Sequence, residues 1–229
     1  MANRSTKRRP RIVGVIASRA DLERGTQMRR PPELYELRLD RLAGIAEWVE
    51  EVLPKLRRPL IITARDPREG GANKLRLRQR RDLLARFLNR ADHIDVELRS
   101  ASSLLSSLGL AKNKNVRKII SFHDFKSTPK STVLEAKAHN AKALGADIFK
   151  VATRTDTPME LGRLLDFMTN STANLPLAVM GIGKLGMISR VLLARVGSVL
   201  IYASLAAGTD VEGQLSLEQL RALGIASRC

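Results

Sequence analysis

No intrachain disulfide is possible, because the chain has a single cysteine, Cys229, its last residue. Such cysteine usage fits a reducing compartment, and a cytoplasmic location is expected. Aromatic residues are scarce at 3%. A core must therefore be built from Leu, Ile, Val and Ala, the residues that suit parallel strands covered on both faces. The same scarcity argues against a base-stacking platform, and no nucleic-acid partner is expected. No apolar run approaches the roughly 18 residues that a membrane span needs, so no membrane partner is expected either. Residues 1–10 are basic and polar with no hydrophobic segment behind them. They read as a flexible basic tail rather than a secretory signal. Acidic residues are in deficit: 23 Asp and Glu against 40 Lys and Arg leave a net charge of +17. An excess of this kind attracts small anions. Its densest stretch, residues 74–81, leads into an apolar-periodic segment and reads as the solvated start of a helix.

Hydrophobic residues make up 44% of the 229, and they are arranged in short runs. The runs cover residues 11–17, 34–40, 59–65, 93–98, 117–123, 147–152, 177–180 and 198–203. Amphipathic stretches lie between them, among them 43–56, 131–144 and 158–168. In the second of these Leu134, Ala138 and Ala141 share one face, and Gly145 follows as a stop. Strands alternating with helices imply a parallel sheet. Eight such units point to a single α/β domain, a (β/α)8 TIM barrel over residues 11–229. An open doubly wound sheet would usually carry a glycine-rich phosphate loop after its first strand, and Gly14 to Ser18 does not supply one.

A barrel places its active site at the C-terminal ends of its strands, so the polar residues there are the candidates. Glu36 and Arg38 are two apart and share the inner face of strand two. Strand three ends in Arg65, followed by Glu69, which could orient a histidine, and by Gly70 and Gly71. Asp95 and Glu97 near the end of strand four are possible buried partners for an arginine. Among three histidines, His123 alone ends a strand, where a general acid–base residue belongs. Lys150 lies between Phe149 and Val151, and a lysine in an apolar strand is rarely there for packing. Burial disfavours its ammonium, and a neutral amine attacks a carbonyl. After strand seven, Gly181, Gly183 and Gly186 suggest amides open to an anion, which Arg190 could also reach. Gln214 could close the mouth after strand eight.

Glu36-Leu-Arg38-Leu-Asp40, Thr63-Ala-Arg65 with Glu69-Gly-Gly71, Ser121-Phe-His123-Asp-Phe125, Asp147-Ile-Phe-Lys150-Val-Ala152, Gly186-Met-Ile-Ser-Arg190 and Gly213-Gln214 occur in that order. Together they strongly resemble the type I 3-dehydroquinate dehydratases of the shikimate pathway, over residues 12 to about 217. Each motif alone is weak; six in order at strand ends are specific. The resemblance implies a carbon–oxygen lyase of chorismate and aromatic amino acid biosynthesis, with no metal or organic cofactor. Lys150 would form an imine with the ketone of 3-dehydroquinate. His123 would remove the adjacent proton and protonate the departing hydroxyl, a syn elimination giving 3-dehydroshikimate. Glu69 would hold His123. Glu36, Arg38 and Arg65 would grip ring hydroxyls, Arg190 the carboxylate, and Gln214 would sit on a lid. A homodimer is implied as well. The lid departs from the family pattern, reading Asp210-Val-Glu-Gly-Gln214. Asp210 stands where a hydroxyl often contacts substrate, and Glu212 replaces a proline. Two carboxylates there would repel an anionic substrate unless they point outward. Another Schiff-base barrel lyase, such as a class I aldolase, would share the lysine. It would not need Glu36 and Arg38 together with His123 and Arg190.

Overall fold

β-Branched and aliphatic residues dominate the eight runs, and each forms a strand buried on both faces. The computed structural model describes residues 9–109, 115–206 and 211–225. The strands are β1 Arg11–Ile16, β2 Leu34–Arg38, β3 Leu60–Thr63, β4 His93–Glu97, β5 Arg117–Asp124, β6 Ile148–Arg154, β7 Leu177–Ile182 and β8 Leu200–Ser204. All pair in parallel, in the order β7-β6-β5-β4-β3-β2-β1-β8. Between β7 and β8 the contact is narrower. The Val199 N–H donates to the Leu177 carbonyl at 2.8 Å, and Ser198 Oγ accepts the Val179 N–H at 3.0 Å. A side chain thus completes the wall of the expected TIM barrel.

The helices are α1 Arg19–Gln27, α2 Leu39–Leu42, α3 Ala46–Val52, α4 Leu77–Phe87, α5 Ala101–Ser107, α6 Ser131–Ala143, α7 Pro158–Asn170, α8 Gly186–Val196 and α9 Leu217–Ala222. Helix α7 starts where the chain provides a capping box. Thr157 Oγ1 accepts the Glu160 N–H at 3.3 Å, the Glu160 carboxylate accepts the Thr157 N–H at 3.1 Å, and Pro158 opens the helix. Leu134, Ala138 and Ala141 of α6 are buried as expected. The stretch 43–56 is not one helix: two 3₁₀ turns, Ala43–Ile45 and Leu53–Lys55, flank the seven residues of α3. Pro54 cannot continue an α-helical ladder there. Among the described residues no helix is long and apolar enough to cross a membrane. Most of the expected tail, residues 1–8, lies outside the described residues.

Alternation divides every strand. Outward residues such as Leu37, Ile62, Ile94, Ile120, Phe149, Val151 and Val179 pack under helix residues including Leu84, Leu134 and Phe167. Phe149 meets Phe167 edge-on with centroids 6.4 Å apart. Inward residues Val13, Leu34, Ile61, Ile119, Ile148 and Ala178 form an apolar plug. Above it the inward positions of β2 to β6 become polar: Glu36, Thr63, Asp95, Ser121 and Lys150, all buried. Shut off from solvent, these groups find partners in one another, in Arg65 and at the Tyr202 ring.

Residues 74–81 are not simply solvated. Arg80, on α4, is 1% exposed. Its Nε donates to the Ala64 carbonyl at 2.7 Å, one terminal nitrogen pairs with Asp66 at 2.9 Å, and the other with Glu97. It shares a helix face with the buried Leu84 and Phe87, so its guanidinium crosses the wall between helix and barrel. Removing one member of a buried ion cluster strands the others. Arg80→Leu is expected to lower unfolding stability by about 3–5 kcal/mol, read from urea midpoints. A loss below about 1 kcal/mol, the scale of a surface pair, would show that Glu97 and Asp66 need no such partner.

Candidate active site

Lys150 projects into the barrel because Phe149 and Val151, its neighbours on β6, take the outer face. It is 4% exposed. Its Nζ lies 2.9 Å from Asp95 Oδ2, 3.4 Å from Glu36 Oε1 and 3.9 Å from the centre of the Tyr202 ring. Burial was expected to act on this amine by itself; the structure adds two carboxylates and an aromatic face. Asp95 in turn accepts two bonds from Arg65, at 3.0 and 2.8 Å, and one from Ser121 Oγ at 2.6 Å. Burial pushes the Asp95 carboxyl up, but Arg65 and Lys150 overcome it and hold the group far below the usual carboxylate range. Arg65 answers in kind: burial opposes its charge, and Asp95 and Glu97 outweigh that, raising it.

Arg65 lies just past the end of β3, buried at 3% exposure. Its terminal nitrogens are taken by Asp95, by Glu97 at 3.0 Å and by Ser121 at 2.6 Å. It is therefore first a clamp on carboxylates of the wall. Glu36 and Arg38 share a face but do not pair with each other. Glu36 accepts from Thr63 Oγ1 at 2.9 Å. Arg38 bonds Asp40 at 3.0 and 2.9 Å and the Gly70 carbonyl at 3.1 Å.

His123 is the penultimate residue of β5, two residues past Ser121, which lies opposite Lys150 in the β5–β6 register. The Glu69 carboxylate meets both its ring Nδ1 and its backbone N–H at 3.0 Å. Glu69 reaches it from a 3₁₀ turn, Pro67–Glu69, that ends on Gly70 at φ 85°. A Cβ at Gly71 would lie 2.1 Å from the Arg65 carbonyl, so only glycine allows this fold-back. Burial, then the nearby Glu97 charge, pushes the Glu69 carboxyl up to about 7. Burial, then the Arg65 and Lys150 charges, pushes the His123 imidazole well below its ordinary value. Phe125 stacks near the ring, with centroids 6.4 Å apart.

Arg190 of α8 is 4% exposed. Among the described residues it meets the Met180 sulfur and the Tyr202 carbonyl, each at 3.4 Å, and its Nε has no partner. Burial pulls it down to about 10. A buried guanidinium is costly without a charged partner, and none of the described carboxylates pairs with this one. The glycine-loop amides are not so available. Gly181 N–H goes to Ser189 Oγ, Gly183 N–H to the Glu212 carbonyl, and Gly186 N–H to the Gly183 carbonyl. Helix capping and the lid consume them. The Glu212 carboxylate pairs with Arg154 at 3.0 Å, which offsets the charge expected to repel substrate. Gln214 and Arg38 line a cavity of about 250 Å³ at the mouth, beside Ser18, Ser204 and Val211. Asp210 lies outside the described residues. Among the described residues no three His, Cys, Asp or Glu side chains are grouped to hold a metal ion.

Two participants were not assigned a place from the sequence. Tyr202 shows only as one more apolar-run residue, although its position between Leu200 and Ser204 faces it inward. Arg80 carried a signal that charge density obscured: it stands four and seven residues before Leu84 and Phe87.

Residues 15–224 match the family described as Type I 3-dehydroquinase. The chain is 30% identical to the 3-dehydroquinate dehydratase of Shouchella clausii, over 96% of this chain and 92% of that one. It is also 30% identical to the bifunctional 3-dehydroquinate dehydratase/shikimate dehydrogenase of Arabidopsis thaliana, over 82% of this chain, and there it spans 32% of the longer protein. The crystal structure of the Clostridium difficile type I 3-dehydroquinate dehydratase, bearing covalently modified comenic acid, superimposes with a TM-score of 0.83. The two are 27% identical, over 94% of this chain and 90% of that one. The chain therefore belongs to the type I 3-dehydroquinase family and is a lyase of the shikimate pathway.

Proposed function

We propose that the chain converts 3-dehydroquinate to 3-dehydroshikimate by syn elimination of water through a Schiff base on Lys150. The observation that carries this reading is a buried amine on β6 beside a strand-end histidine that a carboxylate holds at Nδ1. The amine must shed a proton before it attacks, and Asp95 and Glu36 are the groups in contact with it. Nζ then adds to the substrate ketone and water leaves, giving the imine. The protonated imine draws electrons from the adjacent carbon. With Glu69 accepting from Nδ1–H, His123 Nε2 is free to take that carbon's proton. The electron pair expels the hydroxyl, which leaves as water with the proton returned by His123. Hydrolysis of the imine restores the amine and frees the product. No metal or organic cofactor is needed in this sequence.

Substrate grip is assigned by position. Arg190, with no carboxylate partner among the described residues, takes the substrate carboxylate. Glu36, Arg38 and Arg65 take the ring hydroxyls, Arg65 while clamping Asp95. Gln214 belongs to the lid. A homodimer is part of the same proposal. It is supported by the exposed Met187, Ile188 and Leu192 on α8, at 47%, 53% and 40%. Sedimentation should give twice the monomer mass, and a monomer at micromolar concentration would reject it.

Borohydride added with 3-dehydroquinate should leave a reduced adduct on the Lys150 peptide, seen by mass mapping. An active enzyme with unmodified Lys150 would sink the mechanism. The same adduct is expected in His123→Ala, whose turnover should fall by about 10²–10⁴.

The acid limb of the rate profile should belong to Glu69. Its carboxyl, raised to about 7, ionises only above that pH, whereas the depressed His123 is already neutral there. Turnover should therefore fall as pH drops through about 7. Glu69→Gln should flatten that limb and lower the plateau by about tenfold or more. An unchanged limb in the variant would assign it elsewhere.

A further inference from the structure

Outside the barrel, behind the catalytic pair, lies a second cavity of about 470 Å³. Its position follows from strand alternation. His123 faces inward, so Phe122 faces outward, and Lys137 and Asn140 of α6 complete the wall there. Lys150, Arg190, Arg38 and Gln214 are not part of its lining. The cavity meets the catalytic site only at Glu69 and His123.

Four cations converge on this space: Arg68, Arg99, Lys126 and Lys137. Two carboxylates oppose them. Asp124 already accepts the N–H groups of Lys126 and Ser127, at 2.9 and 3.2 Å. Glu69 is met by Arg99 at 3.6 Å, longer than a hydrogen bond. Arg68 pairs with Asp66 but remains 69% exposed. Lys137 rests on the Phe122 ring at 4.2 Å, and neither it nor Lys126 is in an ion pair with a carboxylate among the described residues. Leu98, Phe122 and Phe125 supply an apolar wall. Arg68 gives Nε and one terminal nitrogen to Asp66, each at 3.1 Å, so the Arg99 guanidinium and the two ammonium groups are the donors that suit a dianion, and a guanidinium fork matches phosphate oxygens.

We propose that this cavity is a second anion site, for a small organic phosphate monoester, and that its occupant slows turnover through the Glu69–His123 pair. The proposal rests on the catalytic reading of that pair. Glu69 is faced by Arg65, Arg68 and Arg99, by Glu97 and by His123. His123 is faced by Arg65, Lys150, Arg38, Asp95 and Glu69. A phosphate drawn to Arg99 takes that cation from Glu69 and adds negative charge beside both groups. Each effect raises proton affinity, so both move the acid limb of the rate profile upward.

Phenyl phosphate serves as the probe, against sodium chloride at equal ionic strength. It should inhibit without competing with 3-dehydroquinate and move the acid limb up by ~0.5 pH unit. In the double variant Lys126→Gln and Lys137→Gln, activity without the probe should match the parent and inhibition should weaken at least about fivefold. Arg99→Gln should raise the acid limb unaided and shrink the probe's further shift. Competitive inhibition, an undiminished effect in the double variant, or no effect beyond that of salt would each overturn the site. Calorimetric binding of the probe to Lys150→Met keeps this result separate from the mechanism. Binding there with no borohydride adduct on the parent enzyme would reject the Schiff base and leave the site standing.

Discussion

Asp95 is the group on which the rest of this site depends. One carboxylate, sealed in the barrel by the apolar plug below, takes Arg65 in a two-pronged grip, Ser121 from β5 and Lys150 from β6. Burying such a carboxylate alone is costly, and burying Arg65 or Lys150 alone would be too. Each is tolerable only because the others are within hydrogen-bonding distance. The same contacts bind β3, β4, β5 and β6 across the barrel interior.

From Asp95 the charges extend outward as a chain. Arg65 reaches Glu97, and Glu97 reaches Arg80 in the helical layer. Lys150 is in this way tied to the outer wall by alternating charges, with Tyr202 against its other side. Buried ion networks of this kind contribute little net stability compared with apolar packing. Their value here is geometric: Lys150 is held from several directions, while Arg190 has no carboxylate partner among the described residues. The lid follows the same economy of charge, since Glu212 is matched by Arg154 on β6.

Much of this was legible in the residues. The eight runs mark the strands because a parallel barrel buries both faces and so demands continuous apolar character. Glu36, Arg65, His123 and Lys150 stand out because nothing in a packed interior calls for them. Glu69 could be matched with His123 as a carboxylate on an adjacent loop. Arg80 was hidden by the basic residues around it, though its helical spacing from Leu84 and Phe87 was visible. The glycine loop misled for a different reason. Glycines signal freedom of backbone, not whether its N–H groups are unoccupied, and here Ser189 and the Glu212 carbonyl occupy them.

The sequence by itself determined the alternation of strand and helix, and with it which side chains face inward, because a period of two admits only one face for a buried strand. It also determined that charged groups crowd the upper barrel. What only the tertiary structure decided was who holds whom. Asp95 goes to Arg65 and Lys150 rather than to one partner, Arg38 turns to Asp40 instead of Glu36, and Glu97 is shared with Arg80 from outside. Apart from Arg38 and Asp40, which are two positions apart, these pairings join residues 17 to 55 positions apart. They are set by register between neighbouring strands and by burial, which makes an unpaired charge costly.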